Sequence, residues 1–496
     1  MRRSALAVLV CGLLSGCLVG PDYVKPKVDT PERYLYEPKE VADTANTEWW
    51  KQFGDPVLDE LIAEALANNR NVQIAAANVE QAAGIVTQVR APLFPQFNYQ
   101  GSAGRYRFSQ GSTVALPSGV SNPTDAFSLG VGASWEIDLW GRIRRQSEAA
   151  QANLLATDEA RRGVILSLVA DVATTYVELR ALDEQLVIAQ RTLGSYEESL
   201  NLIKDKFEFG QVSQMNVAQA QSRYETAATE IPRVRRQIAV TENALSILLA
   251  RNPGPIPRGK NVYELALLAV PAGLPSQLLE QRPDILQSEQ QLIAANAQIG
   301  AAKALYFPTI SLTGAYGRAS TDLSNLFDGP SRTWNFAGSF VGPIFTAGAI
   351  SGQVAQAEAG QKAALLRYRQ TIQNAFADVD DALVSREQRI EQLAAQERLV
   401  ASLKEYEELA KLLWDGGYAP YSTVLQAQEQ LFPEELNLMT TRAQLLDSAV
   451  AIYRATGGGW VNEADKLTPQ PVAGSGWFAP ALPSDPPISQ AATASP

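Results

Sequence analysis

The stretch GQVSQMNVAQAQ, residues 210–221, is echoed by GYAPYSTVLQAQ at 417–428. Both begin on glycine, run through small and polar residues to a valine, and end in Gln-Ala-Gln. A shift of 207 residues relates them. The same shift lays Gly141 on Gly348, Ala170-Asp171-Val172 on Ala377-Asp378-Val379, and Glu184-Gln185-Leu186 on Glu391-Gln392-Leu393. Farther upstream a shift of 213 lays Phe94-Pro95 on Phe307-Pro308 and Gly104-Arg105 on Gly317-Arg318. The chain is therefore a tandem internal duplication, over about 56–250 and 276–460. The period is too long for a solenoid, so each copy is a large unit in itself.

Each copy changes periodicity twice. A helical stretch (56–91, 276–305) comes first, then two strand-like stretches, then two long helical ones. In FSLGVGASWEIDLW, residues 127–140, Phe127, Leu129, Val131, Ala133, Trp135, Ile137 and Leu139 alternate with Ser128, Gly130, Gly132, Ser134, Glu136 and Asp138. Period two with one apolar face is a strand pattern. Strands are predicted at 97–108, 125–139, 308–318 and 333–345, with polar loops over 109–124 and 319–333. Four strands of about ten residues with aromatics near their ends suit a transmembrane β-barrel. A soluble sheet covered by helices has the same alternation. Four strands cannot close a barrel, which needs about eight, so a membrane-spanning sheet requires several copies: two give eight strands, three give twelve.

Helix lengths follow from the glycines. From Gly141 to Gly210, and from Gly348 to Gly417, the chain runs without proline, and at ~1.5 Å per residue each stretch reaches roughly 100 Å. Their Ala- and Gln-rich composition suits a helical wall with a wet face better than a leucine-packed coiled-coil core. RNPGPIPRGK (251–260) opens a surface connector, 251–275. The Pro/Ala/Ser-rich end, 461–496, reads as a tail.

The chain carries a formal net charge of −11 with no basic run, which argues against nucleic acid. It has no histidine, the commonest general base and metal ligand. With no nucleophile or metal motif beside it, DVDD (378–381) reads as a solvated helix face rather than a catalytic site. No enzyme activity and no cofactor are expected. The start, MRRSALAVLVCGLLSGC, pairs two arginines with a short apolar run and ends in Leu14-Ser15-Gly16-Cys17, the pattern of a lipoprotein signal peptide (1–16) with acylation at Cys17. An ordinary cleaved signal or an anchor helix shares part of this pattern, but the run is too short to span comfortably. Residues 17–55 read as an acylated arm.

These parts together resemble the outer-membrane factors of Gram-negative efflux and secretion systems, the TolC-like family, more closely its OprM-like branch. The carriers are CLVGPDYVKP (17–26), SWEIDLWGRIRR (134–145), LLEQRPDIL (278–286), VGPIFTAGAISGQVAQAEA (341–359) and the two glycine turns. The resemblance implies a mixed α and β membrane protein: a trimeric 12-stranded outer-membrane β-barrel, four strands per chain, continuous with a long periplasmic α-helical barrel. It implies a homotrimer in the outer membrane lipid that docks on a periplasmic adaptor, which couples it to an inner-membrane pump, usually proton-driven. The chain would be a passive gated exit duct for toxic small molecules. A duct for type I protein secretion, a lipid-anchored coiled-coil scaffold and a lipoprotein enzyme are the alternatives.

The resemblance places adaptor contact at Gly210, Gln211, Val212, Ser213, Gly417, Tyr418, Ala419 and Pro420. Plain helix-hairpin turns would also use such residues, glycine ending one helix and Ser213 capping the next. Relatives often carry aspartates just after these turns. Here the matching positions are Asn216, Thr423 and Gln426, all uncharged. Ser422 stands where a close relative has a bulky apolar residue, and Glu429 where it has arginine. The expected gate at Asn216, Ser422, Thr423, Gln426 and Glu429 therefore closes by packing and neutral hydrogen bonds, with Glu429 as its nearest charge.

Overall fold

In the computed structural model, residues 18–31, 33–36, 46–109, 111, 121–271, 275–472, 474 and 479–482 are described. The expected signal peptide, Cys17 and the last residues of the tail lie outside them.

Asp55 accepts from the Val57 N–H and Pro56 fits the first turn, so helix α1 starts there (Pro56–Asn68). The helix expected over 56–91 is in fact two, with the break at Asn69. The Asn69 carboxamide oxygen accepts from the Asn71 and Val72 N–H groups and starts α2 (Arg70–Arg90), while its amide donates to the Leu248 carbonyl at 2.8 Å. Strands β1 (Gln96–Tyr106) and β2 (Thr124–Ile137) follow, then α3 (Arg142–Glu208) and its return α4 (Gln214–Leu248). The second copy opens on a single turn, Leu278–Gln281, instead of a helix continuous from 276. Arg282 is extended because Pro283 disfavours a helical residue before it. Helix α5 (Pro283–Ala304), β3 (Thr309–Ser320), β4 (Arg332–Val341), α6 (Ala349–Asp415) and α7 (Tyr421–Thr456) repeat the first order.

The sheet is antiparallel in sequence order, β1-β2-β3-β4, and both outer strands have one unpaired edge. Register puts Phe97, Tyr99, Leu129, Val131, Leu312, Tyr316, Trp334, Phe336 and Phe340 on one face. All nine are exposed. The other face carries Asn98, Gln100, Ser102, Ser128, Ser134, Ser311, Thr313, Asn335 and Ser339. An apolar outer face and a polar inner face is the signature of a sheet between lipid and water.

Helices α3 and α6 are each 67 residues, about 100 Å long. Each begins after a left-handed glycine, Gly141 (φ 77°) or Gly348 (φ 86°). Beside the sheet α3 packs on α2 and α5; at the far end it packs on α4 and α7, and α6 packs on α7. One long helix thus matches two shorter ones end to end. The main core lies where those meet: Trp49 stacks on Tyr453 at 5.1 Å and meets Trp460 edge-on at 5.8 Å.

Trp460 corrects the expected tail boundary. Residues Trp460–Asp465 form a helical turn with Trp460, Val461, Ala464 and Asp465 buried. Arg161 holds both Asp465 carboxylate oxygens, and Thr468 and Gln470 bond to the same residue. The chain leaves this core only after about residue 470.

Candidate functional site

At the far ends of α3 and α6 the two glycine turns share one geometry. Gly210 (φ 70°) donates to the Phe207 carbonyl at 2.9 Å, and Gln211 to Lys206 at 2.8 Å. Gly417 (φ 75°) donates to Trp414 at 3.0 Å, and Tyr418 to Leu413 at 2.8 Å. Both are Schellman ends, satisfying carbonyls a finished helix would leave open. A Cβ at either glycine would meet nothing within 4 Å, so glycine is needed for its backbone angle alone. The turns sit side by side: the Lys206 ammonium lies 3.8 Å from the Trp414 ring centre. Beneath them Leu200, Ile203, Ala410, Tyr421 and Val424 form a small core with Val212 against it. Gly210, Gln211, Ser213, Gly417, Tyr418 and Pro420 remain exposed, and Ala419 half-buried.

Just inside the turns, Asn216 does not behave as a free gate residue. Its carboxamide oxygen accepts from the Ser213 N–H (3.2 Å) and hydroxyl (2.7 Å), so it caps α4. Ser422 and Gln426 are exposed and Thr423 half-buried. Glu429 is not a lone charge: Arg223 on α4 donates to it at 2.7 Å. Glu429, expected as the charge nearest the gate, is thus joined to Arg223 in an ionic link between the two return helices. The repeat offset held a signal for this pair. The two residues are 206 apart, one short of the 207 that superposes the copies. The repeated Gln-Ala-Gln serves two purposes. Gln428 is buried and donates to Glu407 at 3.1 Å, whereas half-buried Gln221 donates to Glu225 on its own helix. Asp171 and Asp378, 39 residues above their turns, pair with Arg454 at 3.5 Å and Arg282 at 2.9 Å.

Midway along the helices a cavity of about 690 Å³ opens between α3, α4 and α7, lined by Thr174, Glu178, Gln185, Asn437 and Asp447 among others. One Asp447 oxygen is sealed from solvent and has no hydrogen-bond partner among the described residues. Burial, helped by the nearby Glu178 charge and opposed by Arg389, pushes its carboxyl up to about 7. In the unfolded chain the group ionises near 3.8. The fold therefore binds a proton that the unfolded chain releases, and stability falls as pH rises from about 4 to 7. Asp447→Asn should flatten that fall, seen as a smaller difference in thermal midpoint between pH 5 and pH 8. An undiminished difference would assign the pH response to other groups.

At the opposite end, SWEIDLWGRIRR is the joint between sheet and helix. Asp138 accepts from the Ile143 (3.1 Å) and Arg144 (2.9 Å) N–H groups, capping α3 across the Gly141 bend. Arg142 binds Glu136, and Trp140 stacks on Phe307 at 4.6 Å. Arg145, only 2 % exposed, donates to the carbonyls of Val19 and Gly20 and to Asp22 and Glu148. The arm that follows the expected lipidation site is thereby tied to the joint. It continues along α5, through Asn296 to the Pro21 carbonyl and through Tyr23 and Lys25 to Glu289. No sequence pattern marks this role of Arg145, since two of its four partners are backbone carbonyls.

A lipid-facing sheet with open edges, mounted on 100 Å hairpins with matched distal turns, defines an outer-membrane channel with a periplasmic extension. The chain belongs to the outer membrane efflux protein family, whose profile matches residues 61–251 and 274–458, the two copies. It is 38 % identical over 469 residues to the toluene efflux pump outer membrane protein TtgI of Pseudomonas putida, covering 93 % of this chain and 99 % of the relative. It is 37 % identical over 453 residues to the cation efflux system protein CusC of Escherichia coli, covering 90 % and 96 %. Among solved structures, the Campylobacter jejuni CmeC outer membrane channel superposes with a TM-score of 0.84 at 26 % identity, over 91 % of this chain and 99 % of that one.

Proposed function

We propose that three copies of this chain close a twelve-stranded barrel over a shared helical tunnel, and that this is a passive exit duct for toxic small organic molecules, not an enzyme. The observation that carries the reading is the four-stranded sheet: apolar on one face, polar on the other, unpaired at both edges. Two copies would give eight strands, whose interior is filled by side chains or holds one small ligand; a through-passage favours three. The exposed distal turns dock on a periplasmic adaptor, which couples the duct to a proton-driven inner-membrane pump. The 36–38 % relatives that are solvent, toluene and antibiotic efflux components support a small-molecule cargo over a secreted protein. Acylation at Cys17 fastens the arm to the membrane. The test is drug and solvent susceptibility of a deletion strain, with and without proton-driven pump and adaptor genes. Sensitisation only when both are present supports the duct; unchanged susceptibility with loss of a secreted protein refutes it.

The distal aperture is closed by packing around Ser422, Thr423 and Gln426 and by the Arg223–Glu429 link. With that carboxylate neutralised, few free charges ring the opening for divalent cations to bind. The pair is solvent-exposed, worth about 0.2–1 kcal/mol, so Arg223→Gln should raise single-channel conductance modestly and create divalent block where the native channel shows little. Strong divalent block of the native channel would overturn this gate.

A further inference from the structure

Arg318 on β3 and Arg332 on β4 are direct antiparallel partners. Register places both on the apolar face, one pleat beyond the Tyr316–Trp334 pair. Like charges set opposite each other destabilise a sheet. Arg318 is only partly engaged: it donates to the Phe327 and Asp328 carbonyls from one nitrogen. Arg332 is exposed, and its side chain makes no hydrogen bond or ion pair among the described residues. The nearest carboxylate on the same face, Asp125, lies two strands from Arg332 and faces Arg105 at 3.6 Å. Barrel closure brings none closer, because the same face of β1, which would pair with β4 of a neighbouring copy, shows Phe97, Tyr99, Gly101, Ala103 and Arg105. Among the described residues no carboxylate forms an ion pair with either arginine.

Depth says what is. From Trp334 to Phe340 the strand advances about 20 Å, about 15 Å of height at the 35–45° tilt of such barrels, and the Tyr316–Trp334 pair falls where an aromatic girdle borders the apolar band. Arg332 lies one pleat beyond Trp334, about 7 Å farther along the strand, at headgroup level and on the side away from the periplasmic helices. We infer that Arg318 and Arg332 form a lipid-facing site for the phosphate of an outer-leaflet glycolipid headgroup. Two guanidinium forks suit a phosphate dianion better than any other lipid group. The inference rests on the barrel reading above.

The test compares native protein with an Arg318→Gln/Arg332→Gln variant, both extracted in mild detergent and checked to run as the same oligomer, so that a failed barrel is told apart from a failed site. Native mass spectrometry should show phosphorylated glycolipid kept by the native protein and reduced at least tenfold in the variant. Adding lipopolysaccharide should raise the thermal midpoint of the native protein only, and a dephosphorylated glycolipid should not. Equal retention by the variant, or equal stabilisation by the dephosphorylated lipid, overturns the inference. So does an equal shift with inorganic phosphate, which would mark a free-anion site. If the double variant fails to assemble, Arg332→Gln and Arg332→Lys take its place: loss with Gln and partial retention with Lys is expected, and no difference from native in either overturns it.

Discussion

Arg161→Leu should lower the unfolding free energy by roughly 3–5 kcal/mol, the cost of stranding a buried charge without its partner. Arg161 is buried, bidentate to Asp465, and bonded at 3.0 Å to Asp158, itself buried. Its removal leaves Asp465 facing only Thr468 and Gln470. Asp158 keeps Arg162 at 3.6 Å, so most of the loss belongs to Asp465. The expected result is early release of residues 460–470, read as new protease cleavage there before the global transition. Asp465→Leu added to Arg161→Leu should recover much of the loss, because apolar replacement of both partners is often near neutral. If the double variant is as unstable as the sum of the singles, the pair is not the coupling element. Trp460, which packs against Trp49 and Trp50, would then be the main fastening of this segment.

The contrast between legible and hidden features follows the range of the forces involved. The duplication, the 67-residue helices and the sheet faces were legible because each is written in local periodicity, glycine placement or a fixed offset. The break at Asn69 was only half legible: its cap to Asn71 and Val72 is local, but the Leu248 carbonyl that holds its amide is 179 residues away. Trp460 read as the end of a copy, but nothing local said that the following turn is held by an arginine 304 residues upstream. At the tip, likeness to relatives pointed to position 216 as a gate. The local pattern of serine followed three residues later by an amide pointed to a cap, and the geometry follows the local pattern.

Gly300→Val should detach the arm from the tunnel. A Cβ at Gly300 would stand 2.6 Å from the Val19 carbonyl oxygen and 2.9 Å from Arg145, and one at Gly20 would stand 2.3 Å from the Gly300 backbone. Two glycines therefore cross in contact, and the arm is anchored again a few residues farther on. Gly20 lies against Gly300, and Lys25 meets Glu289. Five extended residues cover about 16 Å, and the eleven helical residues opposite cover about 16 Å as well. A valine, whose Cβ already clashes with the Val19 carbonyl, therefore pushes the strap away from the helix. Overpacking of this kind costs about 1–3 kcal/mol. The expelled strap takes with it the three acceptors, Val19, Gly20 and Asp22, that hold the buried Arg145. The expected readout is trypsin cleavage after Lys27 in membrane-embedded protein, at least tenfold faster than native, with the helical hairpins still resistant. Gly300→Ala, with one methyl group against the same carbonyl, should show a smaller increase. Native-like protection in the valine variant would mean that the arm is held from Glu289 and Asp380 downward, and that the Arg145 joint does not govern where the membrane-proximal end of the chain is fixed.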